Sequence, residues 1–484
     1  VVRALVLDIG TTSIRAAVVG VDGSVSHVHQ RALSVTSPHP GEVELDGVEI
    51  GNFALELARA VIAEAGPCDV VGITNQRATT VVFDATTNLP VGPVLGWQDL
   101  RTVIDCLVLQ GSGLRLAPNQ SATKATWLMK QTTVPRENLR FATIETYVAW
   151  LLSEGRVFVT DHSNAAVTGL VDLSATAWDP AVSELLEIPS SMLPAIVATM
   201  GEVGLASALP GSPVIAALIG DQPASLFGQS CLSPGQAKIT FGTGAMLDAV
   251  TGEAGPDRMT RFSSGCFPIV ANSHAGTLTW GAEAIMLSAG TCIEWLREDL
   301  GLISSAAESE TLARSVEGTD GVSFVPALMG LGTPQWDFGA RGAFFGLTRG
   351  STRAHLVRAV LDGIAQRAVD LIDAAVSQVN NPLDVIRVDG GMTQNSYLMQ
   401  RLADFSGRSI EISKELEATT KGAGLMALIA VGALSRDDVA TMWEPRAVCS
   451  PTTTAQERQA LRSQWLDVVS RAEKSIPELS SVTF

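Results

Sequence analysis

The 484-residue chain lacks the features that mark membrane, secreted and nucleic-acid-binding proteins. No apolar run reaches the roughly 18 residues that a bilayer span needs. The longest candidate, GLMALIAVGAL at 424–434, has the length of a buried core helix. The N-terminal strand meets the acidic Asp8 before an apolar leader segment could form, so a signal peptide is not expected. Cysteine is scarce, at positions 68, 106, 231, 266, 292 and 449, with no Cys-x-x-Cys pair. That pattern speaks against a disulfide scaffold or a zinc site and for a reducing, cytoplasmic setting. The six histidines show no metal-ligand spacing, and His27 and His29 read as surface residues of a strand edge. Basic residues are few, 33 against 50 acidic ones, for a formal net charge of −17. So acidic a surface repels nucleic acid and anionic membrane, and neither is expected as a partner. A phosphate ligand would need a focused site of amides or cations.

Familiar phosphate signatures are also missing. There is no Gly-x-x-x-x-Gly-Lys-Ser/Thr and no Gly-x-Gly-x-x-Gly, so P-loop and Rossmann readings fail. SATK at 121–124 matches the Ser-x-x-Lys nucleophile motif, but its SDN and KTG companions are absent and the match reads as chance.

What is present is an alternation of strands and helices. The length suits two or more domains, and 46% apolar residues suit well-filled cores. ALVLDIG, TTS and IRAAVVGVDG spell strand, turn and strand, and helical stretches follow near 49–65, 122–131 and 143–153. Near residue 215 the pattern restarts: VIAALIGDQ, then the helix-like PASLFGQS, then the hairpin GQAKITFGTGAMLDAVTG. Two hairpins with Gly-Thr at the bend suggest two related α/β lobes around a cleft. TGEAGPDRMT, at 251–260, is the expected linker. The expected division is therefore 1–250, 251–450 and a terminal segment 451–484. Helices are expected near 289–300, 352–379, 395–406 and 419–431, with a last helix capped by Thr453 or Thr454.

Three glycine devices carry the chemistry. In DIGTTS (8–13) an aspartate ends a strand, Gly10 admits a ligand to the backbone, and three hydroxyls follow. Successive N–H groups there form an anion nest, with Asp8 placed for a hydrated Mg²⁺. FGTGA (241–245) repeats the device, so that two bends could grip a polyphosphate. VDGGMTQN offers a Gly-Gly loop where a flat base could lie, followed by a helix N-terminus near Asn395. Each also reads as an ordinary tight turn. Asp221, ending the strand before PASLFG, is a general-base candidate or a helix cap, and Pro223 favours the cap; the two roles are compatible. Trp97, Gln98, Asp99 and Arg101 form a cluster suited to carbohydrate, the ring packing on C–H faces. Asn75, Gln76 and Arg77 interrupt an apolar strand and need partners; a sugar pocket floor is the expectation.

The ordered series LDIGTTSIRAAV, GITNQRATTVVFD, GWQDLRT, SATK, VTDHSNA, GDQPASLFGQ, AKITFGTG, AGTCIEWLRE, FVPALMGLGTPQWD, ARGAFFGLTRG and VDGGMTQNSYLMQ resembles the FGGY carbohydrate kinases, most of all those acting on glycerol. The quoted stretches run from residue 7 to residue 400, and the resemblance is taken to extend from about residue 3 to residue 446. The resemblance implies actin-like (ribonuclease H-like) ATPase lobes closing over ATP, with Mg²⁺, and a small polyol or sugar. It implies nucleotide contacts at Thr11, Thr12, Ser13, Arg15, Thr243, Gly290, Gly391 and Asn395, with Asp8 near the metal. Arg77, Trp97, Asp221 and Gln222 would meet the substrate, Asp221 as base. The expected function is ATP-dependent phosphorylation of a polyol or sugar hydroxyl. A glycerol kinase with a divergent pocket and an actin-like nucleotide switch without sugar are the alternatives. A homo-oligomer is compatible with the sequence.

Three positions depart from the glycerol-kinase pattern: Ala78 replaces a glutamate, Asn119 a tyrosine and Met246 an aromatic. Losing the carboxylate removes hydroxyl acceptors, worth about 1–3 kcal/mol for a buried hydroxyl left unpaired. An acceptor other than glycerol is therefore expected. LPGSPV, before Asp221, lacks the arginine with which some relatives bind a sugar bisphosphate, so that regulation is not expected.

Overall fold

The computed structural model describes residues 2–379 and 381–482. Its centre is one 13-stranded sheet. In chain order the strands are β1 (Arg3–Ile9), β2 (Ser13–Gly20), β3 (Val25–Ala32), β4 (Val70–Asn75), β5 (Met200–Leu205) and β6 (Val214–Gly220). They continue as β7 (Ala237–Phe241), β8 (Ala245–Gly252), β9 (Phe267–His274), β10 (Thr277–Met286), β11 (Val385–Asp389), β12 (Ser409–Ser413) and β13 (Pro445–Cys449).

The sheet contains the same motif twice. The first copy runs β3-β2-β1-β4-β6, with β1 antiparallel to β2 and parallel to β4. The second runs β10-β8-β7-β11-β12, with the same antiparallel and parallel steps. β5 and β9 join the copies through a single pair, Met200 with His274. Two related lobes, expected from the twin hairpins, are present. The expected boundary differs: β7 and β8 pair only within the second copy, so a division at 250 cuts through β8. The segment 251–260 leads from β8 to β9 inside that copy, and the crossing between copies falls at 229–236. Gly and Pro signalled a turn there, but which sheet a hairpin joins depends on long-range pairing.

Seven helices matter for the site: α1 (Gly47–Ala65), α2 (Asp221–Gly228), α3 (Gly290–Glu298), α4 (Arg353–Val376), α5 (Ser396–Ser406), α6 (Ala418–Ala430) and α7 (Ala455–Ala472). Thr454 caps α7 in a reciprocal box with Glu457, as the sequence predicts.

Strand alternation decides what each face meets. Leu5, Leu7 and Ile9 of β1 pack with Ile50, Leu57 and Val61 of α1. Ala4 and Val6 face the other way, onto Leu425, Met426 and Leu428 of α6. Asp8 continues that second face and so points at α6. In the second copy Ala237, Ile239 and Phe241 join Ala245, Leu247, Ala282 and Ala284 in a core under α4 and α5. Their alternates, Lys238, Thr240, Asp248 and Glu283, therefore face α2.

The two copies meet where α2 crosses α6. A Cβ on Gly228 would lie 2.0 Å from the Ala418 carbonyl oxygen, and one on Gly422 would lie 1.9 Å from that of Ala224. Only glycine permits this backbone approach. It brings each copy's helix over the other copy's carboxylates: Thr420 of α6 donates to Asp8 (3.0 Å), and Ser225 of α2 donates to Asp389 (3.2 Å).

Candidate active site

Asp221 is the first residue of α2, immediately after β6. One carboxylate oxygen accepts from the Gln222 amide at 2.8 Å, and the same oxygen lies 3.4 Å from Arg77 Nε. Burial raises its pKa; Arg77, the Gln222 amide and Lys238 oppose that rise. The result is a carboxylate held at a helix start, partly exposed and less acidic than usual. Such a group can accept a proton from an alcohol.

Arg77 approaches from the loop after β4. Its Nη2 donates to Glu283, while Nε and Nη1 are buried without a hydrogen-bond partner among the described residues. Gly220, next to Asp221, makes room for it, since a Cβ there would be 2.4 Å from Arg77 Cγ and Cδ. Gln222 is the acceptor of a 2.5 Å bond from Lys238 Nζ, which also donates to Thr240 (2.8 Å) and pairs with Asp248 (2.8 Å). Trp97, half-buried, donates its indole N–H to Thr11 at 3.3 Å and thus ties the candidate sugar platform to the first glycine bend.

The neighbours of Arg77 correct the expected pocket floor. Asn75 and Gln76 are fully buried and satisfied inside the protein. Asn75 exchanges amide bonds with Asn164, both 3.0 Å, and Gln76 donates to Gly10 O at 3.1 Å while accepting from Thr79. Gln76 braces the turn at Gly10 and Asn75 is tied to Asn164, instead of lining a sugar site. The cluster at 97–101 divides in the same way. Asp99 is buried and accepts from Val43 N and from Arg101, so its carboxylate is structural. Ala78 takes a left-handed backbone, φ 60°, and its carbonyl accepts from Ser121 Oγ and Thr80 Oγ1. Lys124 is buried against Gly96 O (2.7 Å), and burial lowers its pKa to about 7. Ser121 and Lys124 thus serve separate backbone carbonyls, in keeping with a chance SATK match. His29 pairs with Glu64 on the surface, as expected.

The bend at 10–12 closes with Gly10 N donating to Ser13 O at 2.9 Å. Thr12 is exposed and Thr11 and Ser13 are half-buried. Arg15 sits behind this bend with its Nη groups supplied by Asp8 (3.4 Å), Glu417 and Gln30 (3.2 Å), while its buried Nε has no partner among the described residues. It is a counter-ion shared by Glu417, the nearer partner, and Asp8. Burial raises Asp8 to about 6, against the pull of Arg15 and Thr420. A carboxylate so disfavoured as a lone anion gains from a cation beside it.

The second bend places Gly242 and Thr243 in the open. Gly290, at the start of α3, packs onto it: its N–H donates to Gly242 O at 3.0 Å, and a Cβ would meet that oxygen at 2.5 Å. Gly390, φ 91°, is equally required, because a Cβ would stand 2.2 Å from Phe241 O. Gly391 has open space above it. Asn395 caps α5, accepting from Leu398 N (2.9 Å), and its amide donates to Ser309 Oγ. The 242–244 bend, the Gly390–Gly391 loop and the α3 start therefore adjoin one another, while the Asn395 side chain is already engaged.

Glu283, Asp248, Lys238, Asp389 and Thr420 were missed by sequence reasoning. For Lys238, Asp248 and Glu283 the available signal was a single charge within an apolar strand, as in AKITF, MLDAV and GAEAIM. Among the described residues no cluster of three or more His, Cys, Asp or Glu could hold a metal ion alone. No described helix is long and apolar enough to cross a membrane.

Comparisons with known proteins agree over the whole chain. The profile of the N-terminal domain of the FGGY family of carbohydrate kinases matches residues 3–228, and that of the C-terminal domain matches 237–431. A glycerol kinase of Halorhodospira halophila is 39% identical, covering 97% of this chain and 96% of its own. Glycerol kinase 2 of Thermotoga maritima is 38% identical, covering 97% and 98%. The crystal structure of Plasmodium falciparum glycerol kinase with ADP superposes with a TM-score of 0.89 at 28% identity, over 97% and 98% of the two chains. A ligand-bound xylulose kinase of Lactobacillus acidophilus shares the fold, with a TM-score of 0.84 at 18% identity over 97% of each chain.

Proposed function

The chain belongs to the FGGY family of carbohydrate kinases, and on that premise we propose that it transfers the γ-phosphoryl group of ATP to a hydroxyl of a small polyol or sugar, with Asp221 as base. The observation that carries the reading is the Asp221–Arg77 pair. A partly exposed carboxylate of raised pKa lies 3.4 Å from the Nε of an arginine whose Nη1 has no hydrogen-bond partner among the described residues. An acceptor hydroxyl bonded by Arg77 and facing Asp221 would lose its proton as the phosphoryl group arrives. Phosphoryl transfer asks a protein mainly for positioning and charge stabilisation, with a base adding roughly 10²–10⁴-fold.

The bends at 10–13 and 242–244 supply the N–H groups and hydroxyls of Thr11, Thr12, Ser13 and Thr243 for the phosphates. Gly391 offers space for the base, bordered by Asn395 and by Gly290's helix. Asp8 fits Mg²⁺, which binds through one or two carboxylates plus phosphate oxygens and water. The metal would offset phosphate charge; this chain's part is to hold Asp8 between Arg15 and Thr420. Six free cysteines suit work in the cytoplasm.

The acceptor we favour is not glycerol. Ala78 offers no carboxylate beside Arg77, Asn119 is exposed, and Met246 stands on β8 next to the bend. A true glycerol kinase is the second reading, favoured by relatives such as the Halorhodospira enzyme. A coupled ADP-release assay over glycerol, tetritols, pentitols and ketoses separates them. Higher kcat/KM for a four- or five-carbon acceptor supports the first reading, and efficient turnover at sub-millimolar glycerol supports the second. ADP release that no acceptor stimulates defeats both.

A further inference from the structure

The row of charges beneath Arg77 has a role of its own. Lys238, Asp248 and Glu283 occupy consecutive register positions across β7, β8 and β10, on the face toward α2. Residues directly opposite in an antiparallel pair hold their Cβ atoms about 4.5–5.5 Å apart, and like charges so placed repel. Asp248 and Glu283 are such a pair, both buried from solvent. Lys238 pairs with Asp248 at 2.8 Å, and Arg77 is the ion partner of Glu283. Neither Asp248 oxygen has a donor in regular hydrogen-bond geometry among the described residues.

We propose that Asp248 and Glu283 hold one proton between them and that this pair positions the Arg77 guanidinium against the substrate. The shared proton follows from strand register and burial, and the contact with substrate rests on the kinase reading above. Asp221 and Asp389 add two more acids around the two cations Arg77 and Lys238, so the facing carboxylates cannot both ionise cheaply out of water, and a single shared proton turns their repulsion into a hydrogen bond. The remaining negative charge anchors Arg77 Nη2 and leaves Nη1 without a hydrogen-bond partner among the described residues. Other groups face the pair. They are Arg77 from the loop after β4, Asp221 from α2, Lys238 from β7, Asp389 from β11 and the Cys266 thiol before β9. Burial and Asp248 push Glu283 up to about 7, with Arg77 pulling the other way. Glu283 is thus a positioning residue that acts through Arg77.

Infrared difference spectroscopy on the full chain, between about pH 6 and about pH 8, reads the proton directly. The wild type loses a protonated-carboxyl signal as pH rises, and Glu283→Gln removes that signal. In Asp248→Asn the Glu283 titration moves down by about one pH unit or more, a tenfold change in proton affinity. A signal unchanged in both variants overturns the shared proton. Acceptor KM, read with glycerol and erythritol, rises about tenfold or more in Glu283→Gln at constant ATP KM, with partial recovery in Glu283→Asp. Unchanged acceptor KM overturns the positioning role. Should Glu283→Gln fail to fold, Asp248→Asn, which keeps the arginine pair, carries the titration test. Loss of acceptor-stimulated turnover in the wild type counts against the kinase reading and leaves the infrared result standing.

Discussion

Gly220→Ala perturbs the site without touching a reacting group. The backbone there is extended, φ −66° and ψ 153°, so alanine brings no backbone strain. Its only conflict is with Arg77, whose Cγ and Cδ would lie 2.4 Å from the new methyl carbon. Carbon atoms in contact prefer about 3.5–4.0 Å, so the arginine stem must retreat by about 1 Å or more. Glu283 holds the far end of that side chain, and the retreat cannot be made by a simple swing. A misplacement of about 1 Å in a positioning group costs about 10²-fold in rate, or ~2.7 kcal/mol of transition-state stabilisation. Overpacking at a buried site costs about 1–3 kcal/mol of stability as well. Steady-state kinetics with acceptor and ATP varied separately should show kcat/KM for the acceptor down by about 10²-fold, with ATP KM within about twofold. An unchanged acceptor kcat/KM in a measurably destabilised variant refutes the assignment of Arg77 to the substrate side.

Asp221→Asn keeps the size of the side chain but cannot take a proton, so kcat should fall about 10²–10⁴-fold while acceptor binding by calorimetry persists. Asp8 has a folded-state pKa of about 6 against an unfolded value near 3.8, so the native state binds more protons between them. Stability should therefore fall as pH climbs from about 4 to about 6. In Asp8→Asn that slope should vanish, leaving the variant up to about 3 kcal/mol more stable at neutral pH though inactive. A pH-independent difference between the two melting curves contradicts the burial argument. Ala78→Glu restores an acceptor without new backbone strain, because alanine already occupies φ 60°. Glycerol kcat/KM should rise about tenfold or more; no rise argues that the missing carboxylate does not set specificity. Gly422→Ala would press a methyl 1.9 Å from the Ala224 carbonyl. A loss of roughly 3 kcal/mol or more is expected in denaturant unfolding, and a neutral result removes the α2–α6 crossing as a close backbone contact.

Much of the frame was legible because glycine and strand alternation act locally. The bends at Gly10 and 242–244 follow from short-range turn chemistry, and so do the Asn395 and Thr454 caps. Asp221 was legible for a related reason: an acid closing an apolar strand has few places to go. The rest required knowing which strand lies beside which. Lys238, Asp248 and Glu283 are isolated charges in sequence, and only the β7–β8–β10 register makes them a row. Asn75 and Gln76 looked like pocket residues because they are polar in an apolar strand, yet Asn164 and the Gly10 carbonyl satisfy them. The crossing between lobes was misplaced because the Gly- and Pro-rich turn at 251–260 is more conspicuous than the segment 229–236 that makes it.

A crystal structure with ADP, Mg²⁺ and the preferred acceptor tests the central claim most directly. One acceptor hydroxyl should lie about 2.6–3.2 Å from the Asp221 carboxylate and be bonded by Arg77, with the diphosphate between the bends at 10–13 and 242–244. An acceptor hydroxyl directed to another carboxylate, or a diphosphate bound away from both bends, contradicts it.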